Sequence, residues 1–355
     1  MRRLFIANVL GVALLFFSAA IASAIDVPKW WLGTKGGYEK LVTAAKKEGK
    51  LVWWSHPDPE CRPHILTPFE KQYGIKVEHT EYTTAQIVQR VLLEGLAGIY
   101  SVDVANLSVH HVPRLEKKGL LKKLPFKGRV KTYRDIKNMV SPNSTAIMGY
   151  TGVRSLAYST SNKLPKNQVP KNYEEVLNPK FKGKISVDTD LKEYIILAQA
   201  WGLEKTKDYI KRLGELKPKF HPNNTVVTQM VAAGEVLMAP GIIRRIPLYE
   251  FKAKGAPIDW RPLAPAVPVD PILQGVAAHA PHPNAAELYI YWMHGSGKWL
   301  AGMENCGGYG HALIPGNHIA EQLKGLKAVP FGWEWGVKSA KEGLGEEFRK
   351  IIGVE

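Results

Sequence analysis

Hydrophobic positions along this chain alternate between a helical period of about 3.6 residues and short unbroken apolar runs. The pattern predicts helices at 38–49, 58–73, 84–98 and 111–119. Between them fall strands at 50–55, 75–82 and 102–107. Ile87, Val88, Val91 and Leu92 give the third of these helices one apolar face. Residues 122–144 are basic and irregular and form a candidate crossover, and 146–159 reads as extended. A second alternating block follows. It has strands at 184–187 and 236–239 and helices at 191–202, 204–213, 225–234 and 243–255. The proline-rich stretch 261–271 reads as a second crossing, with a strand at 272–280 and a helix at 283–295. Strands separated by helices point to βαβ units and mostly parallel sheets. Two such blocks joined twice predict two α/β lobes with a ligand cleft between them, lobe 1 over 25–140 and 270–305 and lobe 2 over 141–269 and 306–355.

The first 24 residues stand apart from that pattern. Met1-Arg2-Arg3 is followed by an apolar core over 4–21 and by Ala22-Ser23-Ala24, the small residues a signal peptidase reads. This predicts a secretory leader, a mature chain from Ile25 and a periplasmic location. Beyond it no run approaches the roughly 20 apolar residues that span a bilayer.

Charge and cysteine content refine the reading. The chain carries 48 Lys+Arg against 32 Asp+Glu, a net +16, and the leader accounts for only Arg2 and Arg3 of the excess. Nucleic acid is not an expected partner for an exported protein. The spread-out lysines are either solvated faces or a field that draws in anions. Cys61 and Cys306 are either a disulfide, as an oxidising compartment permits, or two small buried hydrophobes. No zinc-type cysteine spacing, H-E-x-x-H or G-x-S-x-G is present, and a monomer without cofactor is expected.

Several ordered segments resemble the extracytoplasmic solute-binding proteins of ABC importers, in the family that includes ferric-ion-binding proteins. They are Leu-Val-Trp-Trp-Ser (51–55), Phe-Glu-Lys-Gln-Tyr-Gly-Ile-Lys-Val (69–77), Glu94 to Gly98 before Val102-Asp103-Val104, and Leu115 to Leu121. Residues 173–185, 231–235 and 309–315 continue the match. The resemblance implies a type II periplasmic binding fold, two lobes closing on a ligand, and an inner-membrane ABC permease as partner.

It also aligns a candidate site. The ferric members hold their metal with two adjacent tyrosines, and that pair falls here on Arg244 and Arg245. Guanidinium groups repel a trivalent cation but offer fork-shaped donors to carboxylate or phosphate. The expected solute is therefore a small organic anion. The other reading of the pair is two solvated surface arginines. The first loop holds Ser55, His56 and Asp58, and the third strand leads to Ser108, His110 and His111. His56, Asp58 and His110 form the alternative, metal-binding set; an exported hydrolase is the remote alternative. Helix starts at Thr84, at Thr189-Asp190 and at Asn224 are further candidates. Asp190 stands where the family often has a hydroxyl facing an anion; an acid there caps its own helix and suits a hydroxyl or ammonium. Tyr309, between glycines, is the aromatic candidate. Trp53, Trp54 and Tyr194 fit either core or pocket.

Overall fold

The computed structural model describes residues 25–57, 59–130, 139–161 and 163–354. The predicted leader, the candidate site residue Asp58, residues 131–138 of the candidate crossover and the terminal Glu355 lie outside the described residues. Among the described residues no helix is long and apolar enough to cross a membrane.

Five strands order the first lobe as β2-β1-β3-β9-β4. They are β1 (Lys50–Ser55), β2 (Lys76–Glu81), β3 (Val104–Ser108), β4 (Ala146–Ser159) and β9 (Ala266–Val276). β1 runs parallel to β2 and β3, while β9 is antiparallel to β3 and β4. The second lobe repeats this arrangement. β5 (Ser186–Asp188) pairs in parallel with β6 (Lys219–His221), and an Ile185–Met238 bridge carries the sheet to β7 (Met238–Ile243). β7 pairs with β4, which also pairs with β8 (Ile258–Arg261).

β4 belongs to both sheets. Residues 146–153 pair with β9, and 154–159 pair with β7 and β8. β9 divides in the same way: Ile272–Val276 pairs with β3, and Ala266–Val269 pairs with β10 (Lys327–Pro330). These are the two crossing strands of a type II periplasmic binding fold.

Local chemistry explains where elements stop. Thr83 caps the helix Thr84–Ala97 in a reciprocal box with Gln86, and Gly98 closes it in the left-handed conformation. Helices then cover both faces of each sheet. Trp53 and Trp54 point to opposite faces of β1, and both are buried in core, as is Tyr194.

The structure corrects four expectations. The helix expected at 58–73 breaks into a 3₁₀ turn and the helices Arg62–Ile65 and Thr67–Tyr73. Pro63 and Pro68 lack an N–H and crowd the preceding residue, so one continuous helix cannot form. At 243–255, β7 runs on to Ile243, and helical turns then cover Ile246–Phe251, with Pro247 in their first turn where it is tolerated, and Lys252–Lys254. The described parts of 122–144 stay with the first lobe, bridging Trp31 to Val130 and Val140 to Ile147; β4 itself makes the crossing. The proline-rich stretch and the strand after it are one strand, β9. Pro271 sits where β9 changes partner from β10 to β3, so its missing N–H interrupts no ladder on that side.

The C-terminal part, left without elements by the sequence, forms the helices Lys298–Asn305, His318–Gln322, Trp333–Lys341 and Leu344–Ile352. A Cys61–Cys306 disulfide (Cα–Cα 5.3 Å) ties the end of the first of these to the helix at Arg62. The last helix packs Phe348 and Ile352 into the second lobe, and Lys207 there pairs with Glu347 at 2.7 Å.

Candidate functional site

The carboxyl ends of β1 and β3 carry the candidate groups of the first lobe. Ser55 is fully buried, and its hydroxyl lies 2.8 Å from His79 Nε2. His56 follows, half-buried. Thr84 Oγ1 and Ser108 Oγ lie 3.2 Å apart, so the start of one helix is tied to the end of β3. Beyond Ser108 the rings of His110 and His111 lie 4.0 Å apart. Burial, with Lys192 nearby, pulls the His110 pKa down to about 4. Burial, His110 and Lys192 take His111 to about 3. Both imidazoles are neutral at pH 7, and His111 Nδ1 is buried without a hydrogen-bond partner among the described residues.

The second lobe contributes the ends of β5, β6 and β7. Asn224 begins the helix Asn224–Ala232 and spends its amide on the scaffold. Its nitrogen donates to Asp188, and its oxygen accepts from the Ile243 N–H at 2.9 Å. The Thr189 N–H donates to the His221 carbonyl at 3.1 Å, closing β5 onto β6. Asp190 accepts from the N–H of Lys192, the first residue of the helix Lys192–Trp201, at 2.9 Å, while the N-cap position of that helix is Leu191.

Arg244 and Arg245 leave the end of β7 and are buried, 4% and 9% exposed. The Arg244 N–H donates to the Val153 carbonyl, which holds the pair against crossing strand β4. The reading of two solvated surface arginines therefore falls. Arg244 Nε donates to Gln322 Oε1 at 2.6 Å, its Nη1 donates to the Gly308 carbonyl at 3.3 Å, and its guanidinium lies 5.7 Å from the centre of the Tyr249 ring. All of these partners are neutral. Arg245 differs: it pairs with Glu250 at 2.6 Å and lies 4.7 Å from the centre of the Tyr309 ring. Tyr309 in turn packs edge-on to Tyr150 of β4, 5.4 Å between centroids.

A charged cluster that sequence reasoning missed sits on the crossing strands. Arg154 of β4 lies 3.5 Å from Asp270 of β9 and 3.5 Å from Asp190. Lys192 reaches Asp270 at 2.7 Å. Burial opposes ionisation of Asp270, but Lys192 and Arg154 outweigh it and hold the carboxyl below its ordinary range. The signal was a lone charge inside an apolar strand, Arg154 in 146–159 and Asp270 in 266–276, since such residues are rarely buried unless paired.

No group of three or more potential ligand side chains is placed to hold a metal among the described residues, and Asp58 of the alternative metal set lies outside them. A separate cavity of about 410 Å³, walled by Tyr173, Trp201 and Tyr209, lies on the second lobe and includes none of the candidate residues.

Comparison with known proteins agrees with this architecture. A substrate-binding protein of an ABC transporter from Agrobacterium tumefaciens superposes with a TM-score of 0.69 at 15% identity, covering 85% of this chain and 95% of that one. Iron-bound HitA from Pseudomonas aeruginosa gives 0.66 at 18% identity, covering 86% and 99%. AfuA from Actinobacillus pleuropneumoniae, with fructose-6-phosphate bound, gives 0.64 at 17% identity, covering 86% and 99%. At these identities the likeness is one of fold. No curated protein matches the chain by sequence. The profile of the bacterial extracellular solute-binding proteins matches residues 64–337. With most of its length inside that match and its strands in the type II order, the chain belongs to the bacterial extracellular solute-binding protein family.

Proposed function

We propose that this receptor captures a small organic anion of carboxylate or phosphate type between its lobes and delivers it to an ABC permease. The observation that carries the reading is Arg244. Its guanidinium is buried, and among the described residues no carboxylate pairs with it. Burial pushes its pKa below the ordinary arginine value. A desolvated charge with only neutral partners is costly, and an anionic solute would offset that cost with charge-assisted hydrogen bonds. Arg245, already neutralised by Glu250, would serve as a positioning neighbour, stacked on Tyr309. Ser55, His56, Thr84, Ser108, His110, Thr189 and Asp190 stand at the strand ends and helix starts where a solute between the lobes would be oriented. The fold alone does not choose the ligand, since HitA carries iron and AfuA fructose-6-phosphate.

Native mass spectrometry of the purified protein tests the class of solute. A co-purified acid supports the reading, and a bound metal ion in its place sinks it. Arg244→Ala should then weaken binding of that acid by at least about 100-fold in calorimetry, the scale of truncating one partner of a buried charge pair. Unchanged affinity would remove Arg244 from the site.

A further inference from the structure

Three buried polar atoms in the hinge cluster have no hydrogen-bond partner among the described residues: Asp270 Oδ1, Arg154 Nε and His111 Nδ1. They come from three segments, the two crossing strands and the loop after β3. Arg154 and Asp270 form one cluster, 3.5 Å apart, with Lys192 2.7 Å from Asp270. Asp270 and Arg154 are each only 4% exposed. Buried polar groups are nearly always hydrogen-bonded, so orphans of this kind need an occupant.

The atoms specify its chemistry. Asp270 Oδ1 only accepts, and Arg154 Nε only donates. An ammonium would satisfy Asp270 but has nothing to offer Arg154, and it would add a third cation beside Arg154 and Lys192. A carboxylate would satisfy Arg154 but would set a second anion against Asp270. A hydroxyl both donates and accepts, and it leaves the charge balance of Arg154, Lys192, Asp190 and Asp270 undisturbed. Backbone and ring contacts connect this cluster with the arginine pair: the Arg244 N–H donates to the carbonyl of Val153, the residue before Arg154, and Tyr150 of β4 packs on Tyr309, whose ring centre lies 4.7 Å from the Arg245 guanidinium.

We infer that the solute is a hydroxy acid, with its acid group at Arg244 and a hydroxyl seated between Asp270 Oδ1 and Arg154 Nε. The inference rests on the anion reading above and narrows it. A hydroxyl in that seat touches both crossing strands and lies beside Lys192, which is 2.7 Å from Asp270.

The test is calorimetry of the whole protein with acids matched except for hydroxyl groups: malate against succinate, 3-hydroxybutyrate against butyrate, gluconate against hexanoate. The hydroxylated member should bind at least about tenfold more tightly in any pair that binds, because its analogue leaves the buried groups unpaired. Asp270→Asn should shrink that ratio towards one. Equal affinities within the wild-type pairs would overturn the hydroxyl seat and leave the anion reading standing; a resident water would give that result. Failure of every acid to bind, with a metal ion or a neutral solute found by native mass spectrometry, would overturn the anion reading and this inference with it. The wild-type comparison needs no variant, so a misfolded Asp270→Asn would not spare the inference.

Discussion

At the scale of single residues, burial of charge sets both chemistry and stability. The depressed pKa values of His110 and His111 mean that the folded chain refuses protons the unfolded chain accepts near pH 6.5. Their contribution to stability is complete above pH 6.5 and is lost as the pH falls towards 4 and 3, at up to about 1.4 kcal/mol per pH unit for each group. Glu193 has the opposite sign. Burial raises its pKa to about 7 against the opposing pull of a Tyr173 hydrogen bond (3.0 Å) and Arg154. Its contribution is present below the ordinary carboxyl value and is lost as the pH rises through 7. The two histidines outweigh the one glutamate between pH 6.5 and 4.5, so the melting temperature should fall across that window. His110→Gln with His111→Gln should flatten that fall. Glu193→Gln, which keeps an acceptor for Tyr173, should raise stability at pH 8 by about 1 kcal/mol in denaturant unfolding. A loss at pH 8 would show that the buried charge is stabilising.

Among the elements, prolines and glycines decided where sequence patterning succeeded. Strand β1 and the helix Pro283–Gly295 fall on the residues their patterns predict, because each is strongly apolar and free of interior breakers, and β4 does so although Gly149 and Gly152 lie inside it beside a register shift. The helix expected at 58–73 carries an apolar rhythm that Pro63 and Pro68 override, and the one expected at 243–255 starts late because β7 runs on to Ile243. Gly302 has a role that no periodicity shows: a Cβ there would strike the backbone carbonyl of His64, so the glycine lets two helices touch. Gly302→Ala should cost about 1–3 kcal/mol through forced separation. The neighbouring disulfide spans 245 residues of sequence, and replacing both cysteines with Ser should cost roughly 4 kcal/mol by releasing the unfolded chain. Urea unfolding of each variant measures both effects. Equal stability of the Gly302→Ala protein would mean that the helices can slide apart freely.

For the whole molecule, the crossing strands are the scaffold that joins the two sheets. Each divides its pairing between sheets, so the lobe movement that the proposed capture requires would concentrate near Val153–Arg154 of β4 and Val269–Pro271 of β9. The cluster of Arg154, Asp270 and Lys192 lies on that pivot. A ligand shifts the open–closed balance only through its preference for the closed form. Adding the co-purified acid to stripped protein should lower the radius of gyration in small-angle scattering. An unchanged radius at saturation would show capture without closure.

Sequence alone determined the alternation of helix and strand, the doubling of the α/β block and the adjacency of Arg244 and Arg245. Each of these is local, set by side-chain period or by order along one chain. The tertiary structure decided which charges face a partner. Asp270 is 116 residues from Arg154 and 78 from Lys192, and only the return of β9 beside β4 brings the three together. Arg245 takes its acid locally, from Glu250 five residues on, whereas the fold brings Arg244 to Gln322, 78 residues away, and to no carboxylate among the described residues. A residue's type fixes what it can bind, but burial and counter-charge, which depend on contacts distant in sequence, fix what it still has to bind.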